Sequence, residues 1–214
     1  MENMNLADGL AWYVMFLLSI TVHEAAHALA AKWGGDPTAF HLGQVSLNPI
    51  PHMRREVFGT IIMPILSFLS GGWMIGWAST PYSPAWAQRY PRRSALMALA
   101  GPIANFLLVL LFGLLLKIGL LTGFFENPAM GEGAWIVCGI GFQLNLLLFL
   151  FNLVPLPPLD GSSAITLLMP ERIAYEFQEL IRRPAWNLIG LLLAWQLFGH
   201  IYGPVYVWTT NLLF

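Results

Sequence analysis

Four stretches of the chain run almost unbroken through apolar side chains: Leu10 to about Trp33, Ser94 to about Thr122, Ala134 to about Leu153, and Ala185 to about Tyr202. Each approaches or exceeds the roughly 20 residues that a helix needs to cross a hydrocarbon core of about 30 Å. Beyond the last, Gly203-Pro204 interrupts the pattern and leaves a short apolar tail that can re-enter the membrane. A fifth stretch, Val57 to Ala78, is apolar enough to span but is broken by Pro64 and by Gly71-Gly72. The polar segments between these runs are short, at 34–56, 79–93, 123–133 and 156–184, and no internal repeat is visible. The pattern predicts an all-α polytopic membrane bundle of four or five spans, with residues 1–214 as a single integral membrane domain.

Composition sharpens that reading. Apolar residues make up 57% of the chain and charged residues only 10%, against about 25% charged for a soluble domain. This excludes an ordinary cytosolic enzyme, a disordered protein and a secreted disulfide scaffold. A net charge of −1 offers no general attraction for nucleic acid, so none is expected as a partner. The lone Cys138 permits neither an internal disulfide nor a cysteine metal cluster. Glu2 and Asp8 precede the first span where a cleavable signal would carry basic residues, so no such signal is expected. Trp12, Trp33, Trp86, Trp135, Trp186 and Trp208 fall near span ends, where interfacial anchors are expected. Glu171–Arg183 alternates charge with apolar residues and reads as an interfacial helix.

Charge also bears on topology. If 57–78 dips in and returns, Lys32, Arg54, Arg55, Arg89, Arg92, Arg93, Arg172, Arg182 and Arg183 share one side. Glu2, Asp8, Glu126 and Glu132 then share the other, while Lys117 snorkels from the outer end of its helix. Because basic residues are retained at the cytoplasmic face, a re-entrant hairpin is favoured over a fifth crossing. The expected topology has the N-terminus outside, with loops 34–93 and 154–184 cytoplasmic.

The first span contains His23-Glu24-Ala25-Ala26-His27. Residues four apart share a helix face, so the two imidazoles can grip one zinc ion at about 2.0–2.1 Å per bond. Glu24, adjacent around the helix, can serve as general base toward a water activated there. Three ionisable groups at membrane depth are costly, and such groups mark function. Ala25, Ala26, Ala28, Ala30 and Ala31 leave room for another helix to approach. A third metal ligand must come from elsewhere, and His41, His52, His200 and several carboxylates are candidates. Asp160 stands out: it follows Pro155-Leu156-Pro157-Pro158, which ends the preceding helix and predicts extended backbone, and it precedes Gly161, which permits a sharp turn or close approach. The plainer explanation is that Asp160 caps the next helix. A re-entrant hairpin lets Asp160 and His23 meet near the same face, so charge placement and metal binding favour one topology.

His23-Glu24-Ala25-Ala26-His27, Ala100-Gly101-Pro102-Ile103-Ala104-Asn105 and Asn152-Leu153-Val154-Pro155-Leu156-Pro157-Pro158-Leu159-Asp160-Gly161 resemble the three signatures of the site-2 protease family of intramembrane zinc metalloproteases. The resemblance runs from about residue 8 to about residue 200. It is strongest to the short bacterial and archaeal branch without PDZ or CBS domains, which Leu42–His52 and Gly76-Trp77-Ala78 also resemble. Two departures are Met53-Arg54, where an acidic residue would follow the histidine, and Ser162-Ser163 in place of glycine. The resemblance implies that His23, His27 and Asp160 bind one zinc ion and that Glu24 is the catalytic base. It further implies that Asn152 holds substrate or the reacting carbonyl. Asn105 is a weaker site candidate, its alternative being an interhelical hydrogen bond, and His52 is a supporting or loop residue.

The expected activity is hydrolysis of peptide bonds within or near transmembrane segments of single-span membrane proteins, which must unwind locally to be cut. Val154–Leu159 or Gly76–Thr80 could pair with the unwound substrate as an added strand. A rival reading is a metal-ion transporter or channel using the same His, Glu and Asp cluster. Partners are therefore membrane-protein substrates and the lipid bilayer, with a regulatory membrane protein or homo-oligomer left open.

Overall fold

A computed structural model describes residues 6–71, 74–181 and 184–213; Glu2, Gly72, Arg182 and Arg183 lie outside them. Among the described residues, four helices are long and apolar enough to cross a membrane: α1 (Leu6–Trp33), α6 (Pro91–Leu121), α7 (Gly131–Asn152) and α10 (Pro184–Leu213). The shorter helices between them are α2 (Thr38–His41), α3 (Pro49–Arg55), α4 (Met63–Gly71), α5 (Pro84–Arg89), α8 (Asp160–Ala164) and α9 (Glu171–Ile181). Among the described residues there is no strand, and the chain is an all-α polytopic bundle.

The centre of the bundle is α1 packed against α6 and α7. Met15, Phe16 and Ile20 meet Val109, Phe112 and Leu116 of α6 and Ile140, Phe142, Leu144 and Leu146 of α7. Close packing between membrane helices relies on small residues, since lipid is as apolar as the helix surface. Ala28 and Ala31 of α1 are fully buried, and a side chain at Gly141 of α7 would run into the Phe112 ring. In α1, 61% of the apolar window is buried, against 17% in α10, so α1 is the axis and α10 the outer helix. Leu107, Leu110, Leu111, Leu114, Leu188 and Leu192 form the exposed apolar surface that lipid would cover.

The described part of the fifth apolar stretch forms no span-length helix and pairs with itself. A π-helical turn at Phe58–Ile62 leads into α4, and together they extend about 21 Å at 1.5 Å per residue, short of a bilayer core. The chain then returns without regular structure over 74–83, beside the limb it came from. Ile75 N donates to Ser67 Oγ (2.9 Å) and Trp77 N to Gly59 O (3.1 Å). At the base, Ser79 Oγ donates to Glu56 Oε1 and Arg55 Nε to Ser79 O. Glycine is required where the limbs touch: a Cβ on Gly59 would strike the Trp77 carbonyl, and one on Gly76 would strike Gly59 O and the Phe16 ring. The return limb is thereby buttressed by α1 as well as by α4, the protein cover that non-helical backbone needs at membrane depth.

The polar elements gather at one end of the bundle. Trp86 Nε1 and Arg93 Nη1 both donate to Gly34 O at 3.0 Å, Arg92 pairs with Glu171, and Gln88 Nε2 donates to Glu179. At the other end, Lys117 Nζ donates to Leu213 O. The described basic loop residues thus share one end, as the hairpin topology requires. Also there, Asp36 is 2% exposed and accepts from Thr38 N, Thr38 Oγ1 and Ser83 N. Burial pushes this carboxyl up, but those donors outweigh it and hold the group below its ordinary value.

Three expectations need correction. The last helix runs straight through Gly203-Pro204 to Leu213, because the proline costs one backbone bond, whereas ending the helix in lipid would strand several. Residues 153–158 fold as bends and turns rather than an extended run, with Leu156 N donating to Val154 O and Leu159 N to Leu156 O, while Leu159 itself keeps extended backbone. Trp86 is no interfacial anchor: it is 7% exposed, packed with Ala31, Ala87 and Met97, and its indole N–H is spent on Gly34.

Candidate metal centre

His23 and His27 lie one turn apart on the buried face of α1, facing α6. Each ring's Nδ1 is matched to a carbonyl oxygen: His23 Nδ1 donates to Asn105 Oδ1, and His27 Nδ1 donates to Met97 O at 2.7 Å. With the proton placed on Nδ1 in both rings, both Nε2 lone pairs are left free. These two atoms are 2.9 Å apart. Asp160 Oδ2 lies 3.1 Å from His23 Nε2 and 3.2 Å from His27 Nε2. Three electron-pair donors thus converge on one point, an arrangement that favours a cation among them.

The fit to zinc can be tested on these distances. Tetrahedral ligands at about 2.0–2.1 Å from zinc stand about 3.3–3.4 Å from one another; the three observed edges of 2.9, 3.1 and 3.2 Å are somewhat shorter, so a bound ion would spread the donors slightly. Space is reserved for the ion by Gly101 of α6, since a Cβ there would collide with Nε2 of both histidines. The donor set and the cradle fit a single zinc ion with His23, His27 and Asp160 as its protein ligands. Among the described residues this is the one such cluster. His41 and His200 are exposed away from it, and His52 is buried with Nε2 on Ser46 O, so the open choice of third ligand falls on Asp160.

The way the loop presents Asp160 also answers the capping alternative. Leu159 is the N-cap of α8, no side chain caps that helix, and Asp160 is its first residue. Gly161 allows the loop to fold tightly, because a Cβ there would collide with Leu153 O and Val154 O. Behind the loop, Val154 and Leu159 pack on Ala194 of α10, and Gly190 of α10 abuts the Pro157 carbonyl so closely that any side chain would displace it. The Asp160 side chain keeps 23% of its exposure against 7% for the two histidines, so the cluster opens on the Asp160 side.

Glu24 is 4% exposed, and its Oε2 accepts from Thr80 Oγ1 at 2.7 Å. Asn105 is fully buried: its carbonyl takes the His23 N–H, and its amide donates to Asn145 Oδ1 (2.8 Å) and Ser19 O (3.4 Å). Its donors are spent on the interhelical network, which leaves it holding His23 rather than facing a substrate. Asn145 Nδ2 in turn donates to Ser19 Oγ (2.9 Å). Asn152 is half-buried, with Nδ2 on Leu148 O one turn back, and among the described residues it makes no hydrogen bond to the cluster. The sequence does not single out Asn145 or Ser19, and it offers Thr80 only as the end of the Gly76–Thr80 strand candidate. A polar amide inside an apolar span was the signal for Asn145; nothing local ties Thr80 to Glu24.

Fold and site together define a helical membrane protein with a His/His/Asp zinc centre beside a buried glutamate. The profile of peptidase family M50 matches residues 11–132. YwhC of Bacillus subtilis (strain 168), by name a candidate zinc metalloprotease, is 37% identical over 158 residues, covering 73% of this chain and 68% of that protein. Rip2 of Mycolicibacterium smegmatis, named in the same way, is 32% identical over 154 residues, covering 70% of this chain and 54% of that protein. Rip2 of Mycobacterium tuberculosis (H37Rv) is 30% identical over 198 residues, covering 89% of this chain and 70% of that protein. No solved structure gives a significant match. The chain belongs to peptidase family M50, the site-2 protease family of zinc metalloproteases.

Proposed function

We propose that residues 1–214 act as one membrane-embedded protease that hydrolyses peptide bonds within or near the transmembrane segments of single-span proteins, at the cytoplasmic side of a prokaryotic plasma membrane. The observation that carries this reading is the convergence of His23, His27 and Asp160 beside the Glu24 carboxylate. Zinc held by those three residues supplies Lewis acidity, polarising a carbonyl and bringing the pKa of a water down to about 7.

The chain's own groups do the rest. Glu24 takes a proton from the attacking water and delivers it to the departing amide nitrogen, a role worth typically about 100- to 10,000-fold in rate. Asn105 and the Met97 carbonyl fix the imidazole tautomers, so both Nε2 atoms face the reaction. Asn152 lies at the end of α7, and releasing Leu148 O would free its amide for the substrate carbonyl. Substrate enters from the open Asp160 side. The gathering of basic residues at the loop end supports a cytoplasmic site.

A transporter would use the same cluster as a waypoint and would pass zinc across sealed liposomes. Reconstitution with single-span reporter substrates separates the two: wild type should cleave, chelator should stop it, and Glu24→Gln should keep one zinc per chain while losing cleavage. Unchanged cleavage by Glu24→Gln would refute the base, and zinc flux without cleavage would favour transport.

A further inference from the structure

The hairpin's return limb ends by laying Thr80 against the catalytic helix. Thr80 Oγ1 lies 2.7 Å from Glu24 Oε2 and 2.9 Å from Glu24 O, so its single proton is directed between two acceptors of the same residue, the shorter contact being to the carboxylate. Among the described residues, no other side chain or amide is hydrogen-bonded to that carboxylate, which leaves Oε1 without a protein donor.

We propose that Thr80 is a positioning residue for Glu24: its hydroxyl fixes the carboxylate on one oxygen and leaves the other turned to water, so that the hairpin sets the aim of the base. The proposal rests on the reading of Glu24 as the base. Three observations carry it. A glutamate has three side-chain torsions, and a buried one with no partner would be both costly and unaimed. Thr80 is itself held firmly: Pro81 restricts the preceding residue to extended backbone, and the branched Thr side chain has few χ1 choices. The limb is also pinned on both flanks, by Trp77 N on Gly59 O and Ser79 on Glu56 to one side, and by Ser83 N on Asp36 to the other. The donor therefore sits on a fixed strap rather than a free loop.

The test uses the full-length, zinc-loaded protein, with Thr80→Val to remove the donor at equal size and Thr80→Ser to keep it. Thr80→Val should lower kcat on a fluorogenic single-span reporter by about 10- to 100-fold, the order expected when a reacting group is misplaced by an angstrom. KM and one zinc per chain should be unchanged, and Thr80→Ser should stay within about threefold of wild type. The Glu24 carboxylate band, isolated as the ¹³C-glutamate infrared difference between wild type and Glu24→Gln, should shift in Thr80→Val; this arm reads the bond without turnover. Thr80→Ala provides a second donor-free variant should valine disturb the strap. A kcat within twofold of wild type in Thr80→Val, equal loss in Thr80→Ser, loss of zinc, or an unmoved carboxylate band would each overturn the proposal. Wild-type cleavage by Glu24→Gln would instead sink the reading of the base.

Discussion

Replacing Gly101 by alanine adds one methyl group at the most crowded point of the metal centre. The added carbon would overlap Nε2 of His23 and Nε2 of His27 together. Nonbonded atoms settle at about 3.5 Å, so one or both rings would have to retreat by about 1 Å. Metal–ligand distances tolerate only about 0.2 Å, and neither ring can retreat freely, because His23 is tied to Asn105 and His27 to the Met97 carbonyl. The expected cost is at least about 100-fold in zinc affinity, or about 2.7 kcal/mol. The same overlap overpacks the α1–α6 contact whether or not the ion is bound, so the stability of the apoprotein in thermal unfolding should also fall, by about 1–3 kcal/mol, while circular dichroism keeps its helical form. Competition against a chromophoric chelator in detergent gives the affinity. Zinc affinity within threefold of wild type in Gly101→Ala would show that the ion does not sit where the three donors converge.

Two further outcomes are expected. Asn105→Ala removes the acceptor for His23 Nδ1 and should weaken zinc binding by about 10- to 100-fold; Asn145→Ala, acting through Asn105, should cost less, and the double variant should be less than additive by the same competition assay. Asp36→Asn should lower stability by about 1.5–3 kcal/mol at pH 7, since it weakens hydrogen bonds to a charged acceptor. Because the folded-state value of Asp36 is depressed, its contribution is fully present above the unfolded value of about 3.9 and fades as pH falls through the folded one. The gap between wild type and Asp36→Asn in thermal unfolding should therefore narrow as pH falls below about 3.9 and close once the folded-state carboxyl is protonated, and a pH-independent gap would contradict the assignment.

The spans were legible because burial in lipid demands long apolar runs, and their ends agree with the helices to within a few residues at α1, α6 and α7. The His23/Glu24/His27 face was legible because helix periodicity converts spacing into direction. The hairpin was legible through charge placement, the break at Pro64 and Gly71-Gly72, and the need for Asp160 to reach His23, since its hydropathy alone resembles a span. What the sequence hides is contact between distant segments. Nothing near Thr80 announces Glu24, 56 residues away, and the turns at 153–158 arise from packing against α10 as much as from proline. Trp86 misled for a related reason: its position suggested an interface, but a cavity beside Ala31 claimed it.

The third zinc donor stands 137 residues beyond the first and on a loop, whereas the two imidazoles belong to the rigid axis of the bundle. An ion bound there acts as a rivet that fastens the late-synthesised portion of the polypeptide to the part made first. Starving a cell of zinc would then do more than silence the enzyme: it would loosen the stretch from Asp160 onward while the three-helix centre stayed shut.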